Sequence, residues 1–249
     1  MSKNIENKVV IITGASSGLG EAVAKDLAAN GAKIVLAARR EDKLKKIQQS
    51  ICEAGGNAVY YVTDVTKKEQ VSAMADFALK QYGQIDVLVN NAGTMPGSFL
   101  YKNNTDEWDQ LIDINIKGVL YCIGVVLPHM RDRKSGHIIN ISSTAAHESP
   151  IPGVTVYYAT KNAVKVISDG LRREEALAGS NIRVTNISPG AIDTDLKYTV
   201  TDPEMKKGVM AAYSQSTLSP EEMAHAIHFA ISEEINISVN EIIVRPVNH

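Results

Sequence analysis

The sequence has few cysteines and few aromatic residues, and neither sign of charge dominates. Only two of its 249 residues are cysteine, Cys52 and Cys122, and they match no metal-ligand spacing. Aromatic residues make up 5% of the chain, and the formal net charge is -2. We therefore predict no metal site, and no global electrostatic reason to bind nucleic acid or an anionic membrane. Both cysteines fall in helical patterns, so we expect reduced, partly buried thiols.

Long hydrophobic runs are also missing. The longest run, from Gly118 to Leu127, ends at Pro128 and is about half the roughly 20 residues that a membrane helix needs. The first seven residues are polar and lack the apolar stretch of a signal peptide. The sequence therefore predicts a cytoplasmic protein without a membrane partner.

What the sequence does contain is a regular alternation of short β-branched runs and longer helical patterns. This alternation is typical of repeated βαβ units and a parallel sheet. It predicts an α/β fold in which residues 1–249 form a single doubly wound (Rossmann) domain, with a parallel seven-stranded sheet and helices on both faces. The predicted strands are residues 9–12, 34–38, 59–62, 87–89, 137–141, 183–187 and 242–244.

Several local signals predict where helices begin and end. Gly31 is placed to end the first helix. Thr66 and Glu69 have the spacing of a capping box, and Ser219-Pro220 followed by Glu222 has the pattern of a helix start. The least regular stretch, residues 193–218, is predicted to be a loop that forms a substrate lid.

A glycine-rich turn, Thr13–Gly20, directly follows the first predicted strand and opens the first helix. Glycines allow the backbone to approach a pyrophosphate, and the N-terminus of the helix offers free N–H groups and a positive dipole end. The spacing is G-x-x-x-G-x-G, which differs from the general dinucleotide fingerprint. Its place in the first strand–helix unit still favours a dinucleotide site over a purely structural turn. The predicted contacts are Gly14, Ser16, Ser17, Gly18, Leu19 and Gly20.

The end of the second predicted strand indicates which dinucleotide binds. An acidic residue here would hold the ribose hydroxyls of NAD, but the sequence has Ala38 followed by Arg39 and Arg40. A guanidinium can bind a 2′-phosphate bidentately, and no carboxylate is present to repel it. The alternative is that the two arginines merely solvate a helix start, which would account for Arg40 but not for the missing acid. We therefore predict NADP(H) as the cofactor.

Further motifs follow in an order that resembles the short-chain dehydrogenase/reductase family over nearly the whole chain. Asn90–Gly93 resembles its N-N-A-G segment, and Ile141–Ser143 resembles its serine site. Tyr157 and Lys161 match its Y-x-x-x-K motif, and residues 189–194 resemble its P-G-x-x-x-T segment. The Ala38-Arg39 pair is similar to the NADP-preferring type of this family.

The resemblance implies roles for individual residues. Asp64 and Val65 would flank the adenine, and Asn91 would line the floor of the site with Ala92 and Gly93. The implied catalytic residues are Asn115, Ser143, Tyr157 and Lys161. The implied contacts near the nicotinamide are Pro189, Gly190, Ile192, Thr194, Tyr157 and Lys161.

These residue types suit proton transfer that accompanies hydride transfer. Tyr157 and Lys161 are four residues apart and share one helix face. A nearby ammonium is expected to lower the phenol pKa, so that Tyr157 acts as general acid and base. Ser143 would hold the substrate oxygen, and Asn115 would bind a water that links Lys161 to solvent.

Two other functions stay open at this point, and both use the same scaffold. One is a 3-oxoacyl-thioester reductase, although the Asp-Gly-Gly ending of such relatives is absent. The residues 240–246 (N-E-I-I-V-R-P) instead resemble family members that act on hydroxy acids or assorted carbonyls. The other is a non-catalytic NADP(H)-binding redox sensor. The resemblance also implies a homodimer or homotetramer, packed through the helices that contain Asn115 and Tyr157.

Two further residue groups bear on the substrate, and a third bears on metal binding. His147 lies in a loop that commonly lines the pocket. The lysines Lys197, Lys206 and Lys207 would hold a substrate carboxylate only if they turn inward. His225 and His228 lack a cluster of ligands, so we expect no metal there.

Overall fold

The computed structural model describes residues 4–247, apart from the side chains at positions 212 and 215, and its centre is a seven-stranded sheet. All strand pairs are parallel, and the strand order is β3-β2-β1-β4-β5-β6-β7. This confirms the predicted doubly wound sheet. The strands are β1 (Val9–Thr13), β2 (Lys33–Ala38), β3 (Asn57–Val62), β4 (Val87–Asn90), β5 (Gly136–Ile141), β6 (Ile182–Pro189) and β7 (Glu241–Val244).

Helices cover both faces of the sheet because neighbouring residues of each strand point to opposite sides. In β1, Val10 and Ile12 belong to one buried cluster, while Val9 and Ile11 belong to the other. The helices are α1 (Gly18–Ala29), α2 (Glu41–Glu53), α3 (Lys68–Tyr82), α4 (Thr105–Ile112), α5 (Gly118–Arg133), α6 (Thr155–Leu177), α7 (Pro203–Gln215) and α8 (Pro220–Ser232). Residues of α1, α2 and α8 join the first cluster, and residues of α3, α5 and α6 join the second.

Two of the three predicted signals for helix starts and ends are confirmed. Gly31 adopts φ +89° just beyond α1, a left-handed conformation that costs glycine little. The Ser219 hydroxyl accepts a hydrogen bond from the Glu222 N–H, and the Glu222 carboxylate accepts one from the Ser219 N–H, so the capping box of α8 is complete. The prediction of a capping box at Thr66 was wrong, because its hydroxyl donates to Asp64 instead (2.8 Å) and α3 begins at Lys68.

The stretch predicted to be irregular, residues 193–218, is about half helical. It contains a 3-10 turn, Asp195–Thr199, and the helix α7. Asp202 caps α7 by accepting hydrogen bonds from the N–H groups of Glu204 (3.0 Å) and Met205 (3.1 Å). Pro203 at the first helical position completes a start signal that the sequence interpretation did not use.

One helical stretch among the described residues, Thr105–Arg133, is long and apolar enough to span a membrane by length and composition alone. It consists of α4, a π-helical turn at Asp113–Lys117 and α5, and it continues through Pro128. Core helices of soluble proteins meet the same criteria. In this fold the buried side chains of α5, such as Cys122 and Val126, pack against the sheet. Both cysteines are free, as predicted, but only Cys122 is buried and Cys52 is exposed.

Candidate active site

The glycine turn after β1 leaves no room for side chains at two of its glycines. A Cβ atom at Gly14 would lie 2.8 Å from the Cα of Ala92, and Gly14 has φ +66°. A Cβ atom at Gly20 would lie 2.6 Å from both the Asn91 side-chain nitrogen and the Gly14 carbonyl oxygen. The turn therefore requires glycine at both positions, and the N-terminus of α1 behind it offers free N–H groups to an anion.

The turn is joined to the end of β4, where the direction of chain winding reverses. The Asn91 amide donates to the carbonyl oxygens of Thr13 (2.9 Å) and Gly14 (3.3 Å). The Thr13 hydroxyl in turn accepts hydrogen bonds from the N–H groups of Asn91 and Ala92, both at 3.1 Å. Ligands of open parallel sheets bind at such a reversal, outside the carboxyl ends of the strands.

The two arginines after β2 have different surroundings. Arg40 donates to the hydroxyl oxygens of Ser16 (2.8 Å) and Ser17 (2.6 Å), so it is bound to the glycine turn and does not simply solvate α2. Arg39 is exposed and has no hydrogen-bonding or ionic partner within residues 4–247. Arg39 directly precedes the arginine that binds the two serine hydroxyls, and an exposed guanidinium without a partner suits the binding of a phosphate group.

Asp64 and Val65 follow β3, and they lie at the same edge of the sheet as the glycine turn, where the carboxyl ends of the parallel strands meet. The Asp64 carboxylate accepts hydrogen bonds from the N–H (3.0 Å) and the hydroxyl (2.8 Å) of Thr66. Val65 is buried against Gly118, where a Cβ atom would lie 2.8 Å from a Val65 methyl carbon. The two positions predicted to flank an adenine are therefore held in place by local contacts.

Tyr157 and Lys161 lie on one face of α6, and both are 7% exposed. The Lys161 Nζ lies 5.7 Å from the centroid of the Tyr157 ring and donates to the carbonyl oxygen of Ile141 (2.8 Å). The Ser143 hydroxyl, which lies 3.5 Å from the Pro189 carbonyl oxygen, is also near enough to the Tyr157 hydroxyl for hydrogen bonding between them to lower the pKa of Tyr157. The structure thus brings the predicted serine, tyrosine and lysine together.

Burial dominates the pKa values of this pair. Desolvation raises the pKa of Tyr157 well above its usual value, and the bond to Ser143 offsets only part of that shift. Burial lowers the pKa of Lys161 from 10.5 to about 8. The protein groups alone therefore do not produce the lowered phenol pKa that the sequence motif predicts, because both charged forms lose hydration.

Asn115 lies in the π-helical turn between α4 and α5 and is 1% exposed. Its side chain accepts a hydrogen bond from the Thr94 N–H (3.0 Å) and donates to the Thr94 carbonyl oxygen (3.0 Å) and the Thr160 hydroxyl (3.1 Å). A Cβ atom at Gly93 would lie 3.5 Å from the Asn115 carbonyl oxygen and 3.8 Å from the Lys161 Nζ. Asn115 therefore joins the segment after β4 to α6, directly below the lysine.

Ser143 begins a short 3-10 turn and accepts a hydrogen bond from the Ala145 N–H (3.1 Å). His147 ends that turn, and its Nε2 lies 3.1 Å from the Ser188 hydroxyl and 3.0 Å from a Glu241 carboxylate oxygen. His147 thus ties the serine turn to the ends of β6 and β7.

The segment after β6 passes in front of the glycine turn. Pro189 ends β6, and the Gly190 N–H donates to the Val244 carbonyl oxygen (2.7 Å). Ile192 forms a bridge with Leu218, and Thr194 approaches the glycine turn, where a Cβ atom at Gly18 would lie 2.9 Å from its methyl carbon. The predicted P-G-x-x-x-T segment therefore faces the predicted pyrophosphate loop.

The stretch 193–218 is fastened over the site by contacts to the segment after β4. The Lys102 ammonium pairs with the buried Asp202 carboxylate, and the Asp202 N–H donates to the Gly97 carbonyl oxygen (3.2 Å). On the other side, Met205 of α7 lies against Gly153, where any side chain would overlap the sulfur. Gly153 has φ +87°, so this contact also depends on glycine.

A prediction follows for Lys161→Met, which removes a buried ammonium. The folded pKa, about 8, lies below the ordinary 10.5. Below pH 8 Lys161 is charged in both the folded and the unfolded protein, and burial of its ammonium lowers the free energy of unfolding by about 3 kcal/mol. Between the two values the unfolded chain binds more protons, so wild-type stability rises with pH. After loss of the bond to Ile141, we expect the variant to be about 2 kcal/mol more stable at pH 7 but inactive.

The measurement is denaturant unfolding of both proteins at pH 7, 8.5 and 10. The stability advantage of Lys161→Met should shrink steadily across this series. A difference that is the same at pH 7 and pH 10 would contradict a lowered lysine pKa.

Sequence reasoning missed several residues that hold the site together. Thr13, Thr94 and Thr160 bind the asparagines, and the Ile141 carbonyl oxygen binds Lys161. For Thr13 a signal was present, since a polar residue at the end of a buried strand needs a hydrogen-bonding partner. No group of three or more metal-ligating side chains occurs in the described part of the chain.

Comparisons with known proteins agree with this geometry. A family model described as short chain dehydrogenase matches residues 8–205. An uncharacterized oxidoreductase of Staphylococcus saprophyticus is 53% identical over 244 residues, which cover 98% of this chain and 97% of the relative.

Two solved structures are also similar over most of their length. One is a short-chain dehydrogenase/reductase from Burkholderia phymatum in complex with NAD, with a TM-score of 0.89, 28% identity and coverage of 96% of this chain and 89% of that chain. The other is the closed form of a serine dehydrogenase complexed with NADP+, with a TM-score of 0.86, 32% identity and coverage of 95% and 94%.

Proposed function

The chain belongs to the short-chain dehydrogenase family and is an oxidoreductase, and on that premise we propose that it uses NADP(H) to interconvert a carbonyl compound and a secondary alcohol. The observation that carries the proposal is the convergence of Ser143, Tyr157 and Lys161 beside the glycine turn. A purely structural cluster would not need a buried lysine whose only hydrogen bond within residues 4–247 goes to a carbonyl oxygen.

The proposed roles of the side chains follow from their positions. Bound NADP(H) supplies or accepts the hydride. In the reducing direction Tyr157 donates its proton to the substrate oxygen, which suits a buried phenol that stays protonated at neutral pH. Ser143, already bonded to Tyr157, would donate to the same oxygen, an oxyanion-type contact.

Lys161 and Asn115 would act on Tyr157 rather than on the substrate. The lysine ammonium favours the phenolate once the proton has left, and it would also hold the nicotinamide ribose. Asn115 binds the backbone of Thr94 and so positions the segment 93–94 near Lys161. It would also bind a water through which protons pass from solvent to Lys161.

Residues of the glycine turn and its neighbours would hold the cofactor. The space at Gly14 and Gly20 lets the backbone approach the pyrophosphate, and Arg39 with Ser17 would bind the 2′-phosphate. The serine dehydrogenase noted above binds NADP+, whereas the Burkholderia relative binds NAD, so the preference of this chain rests on its own residues. Those residues offer no carboxylate at position 38.

Arg39→Ala tests the cofactor preference. We expect it to weaken NADPH binding about 30-fold, because a charge-assisted contact to the 2′-phosphate is lost. NADH lacks that phosphate, so its Kd should change by less than about twofold. Fluorescence titration with both cofactors measures the two values. Equal losses for NADPH and NADH would contradict the assignment.

Ala38→Asp is the converse variant. It distinguishes a change in cofactor preference from general damage to the binding site. The new carboxylate would repel the 2′-phosphate and accept hydrogen bonds from the ribose hydroxyls. The preference should therefore move toward NADH, which simple damage to the site cannot produce.

Cofactor consumption tests the catalytic proposal against the redox-sensor alternative. The assay offers ketones, aldehydes, diketones and 3-oxoacyl thioesters with NADPH or NADH. Turnover that disappears in Tyr157→Phe supports the reductase. Tight NADPH binding with no turnover on any compound would favour the sensor, and turnover confined to thioesters would favour the 3-oxoacyl-thioester reductase.

We also propose that copies of this chain pack through α5 and α6. Both helices leave large apolar side chains in solvent, including Leu120 (45% exposed) and Val166 (68% exposed). Sedimentation equilibrium would give the mass, and a monomer at micromolar concentration would contradict the proposal.

A further inference from the structure

The side chains packed around Tyr157, which a substrate that reaches its hydroxyl would meet as a wall, are uncharged. Met95, Val154 and Val200 are buried in one cluster with Tyr157. Leu196 and Met205, from the stretch that covers the site, pack against that cluster and are partly buried. A charged group placed against this wall would lose its hydration without gaining a partner, which costs several kcal/mol.

Three cations on the segments around this cluster are each paired with a carboxylate. Only 14% of the Lys197 side chain is exposed, and its ammonium lies 2.5 Å from the Asp193 carboxylate. Lys102 is paired with Asp202. Arg245 is paired with Glu148 at 2.8 Å.

The other lysines of this region are not candidates either. Lys206 and Lys207 lie on the exposed side of α7, so they do not turn inward. Within the site, Lys161 is bound to the Ile141 carbonyl oxygen. The His147 Nε2 lies 3.1 Å from the Ser188 hydroxyl and 3.0 Å from a Glu241 carboxylate oxygen, so this ring already has polar partners, one of them a carboxylate.

We propose that the pocket accepts uncharged, largely apolar ketones or secondary alcohols and discriminates against carboxylate forms of the same skeleton. The inference rests on the proposed hydride-transfer function and names its substrate class. It runs against the resemblance of residues 240–246 to relatives that act on hydroxy acids, because Arg245 of that segment is held by Glu148. An unpaired carboxylate should cost about 100-fold or more in kcat/KM.

The experiment compares matched esters and acids. Ethyl 3-oxobutanoate, ethyl 2-oxo-4-phenylbutanoate and methyl 4-acetylbenzoate are assayed with NADPH beside the corresponding free acids. We expect turnover of at least one ester, with a kcat/KM about 100-fold above that of its acid. An acid used as well as its ester would overturn the substrate class while leaving the proposed function intact.

Asp193→Asn adds a second readout. The variant leaves the largely buried Lys197 side chain without its carboxylate, so kcat/KM for the acid should rise and the ester-to-acid ratio should fall about tenfold. Asp169→Asn is the matched control, because it removes the carboxylate partner of Arg172 on α6, in a partly exposed pair elsewhere in the fold. The control should leave the ratio unchanged. An unchanged ratio in Asp193→Asn would contradict the role given to the Lys197–Asp193 pair.

The two proposals fail in different ways. If no ester or acid is reduced, and the wild type cannot be distinguished from Tyr157→Phe on any carbonyl compound, the hydride-transfer function is wrong and the substrate class falls with it. If esters and acids are both reduced equally, only the substrate class is wrong.

Discussion

Tyr157→Phe should lower kcat for carbonyl reduction about 1000-fold while leaving the Kd for NADPH within about twofold. The substitution removes one hydroxyl from a ring that is 7% exposed, so it creates almost no cavity and keeps the packing around Val154 and Met95. What is lost is the hydroxyl that we propose as the proton donor to the substrate. Steady-state kinetics and a cofactor titration of the same preparation measure the two quantities.

Tyr158→Phe is the matched control for this result. Tyr158 is as deeply buried as Tyr157, but it lies three residues before Lys161 and its ring meets the Tyr157 ring edge-on at 6.4 Å. Its hydroxyl bonds to the backbone at Ile151 rather than to Ser143. Activity should therefore stay near that of the wild type. Loss of turnover in Tyr158→Phe, with activity kept in Tyr157→Phe, would reverse the assignment.

Gly20→Ala should weaken the binding of NADPH and NADH alike, by about 30-fold, and destabilise the protein by about 2 kcal/mol. The added methyl group would meet the Asn91 amide and the Gly14 carbonyl oxygen, both at 2.6 Å. Relief requires the glycine turn to move away from the end of β4, which breaks the Asn91 bond to Thr13. The turn then loses its fit to a pyrophosphate. Thermal unfolding with and without cofactor measures both effects.

Gly170→Ala is the control for the steric overlap at Gly20. It also adds a methyl group to a helical glycine, but at a position where there is room for it. A Cβ atom at Gly170, within α6, would meet nothing within 4 Å. Alanine is the better helix former there, so this variant should gain about 0.5–1 kcal/mol and bind cofactor normally. If Gly20→Ala left both the stability and the cofactor Kd unchanged, the result would contradict the proposal that cofactor binding depends on the close approach of the glycine turn to Asn91.

The sequence allowed the sheet, its parallel order and the glycine turn to be predicted because these depend on strong local patterns. A continuous β-branched run between turn residues is typical of a buried strand of a parallel sheet, as in β1, whose five residues are all buried. The four residues proposed for catalysis were named from a resemblance, and their spacing alone would not have brought Asn115 near Lys161. That juxtaposition depends on contacts between distant segments, such as Asn115 with Thr94 and Thr160.

Features that depend on tertiary contacts or desolvation could not be predicted from the pattern. The helix α7 was missed because its charged, weakly apolar sequence resembles a loop, and only the Asp202-Pro203 pair indicated its start. The partner of Arg40 could not be inferred from a charge near a helix end. The lowered pKa of Lys161 arises from burial, which the spacing of two residues does not reveal.

The π-helical turn at Asp113–Lys117 has a consequence for how the chain tolerates changes in length. A turn of this kind holds one residue more than an α-helical turn, while the helix on either side keeps its facing. Deleting a single residue there would restore a regular helix from Thr105 to Arg133 without rotating α4 relative to α5. The helical hydrogen bonding would become regular, but the Asn115 side chain would no longer form its hydrogen bonds with the Thr94 backbone. The same five residues therefore cannot both form a regular α-helix and keep Asn115 in its present position. We expect a one-residue deletion there to leave the core packing intact and to displace Asn115 from the proposed active site.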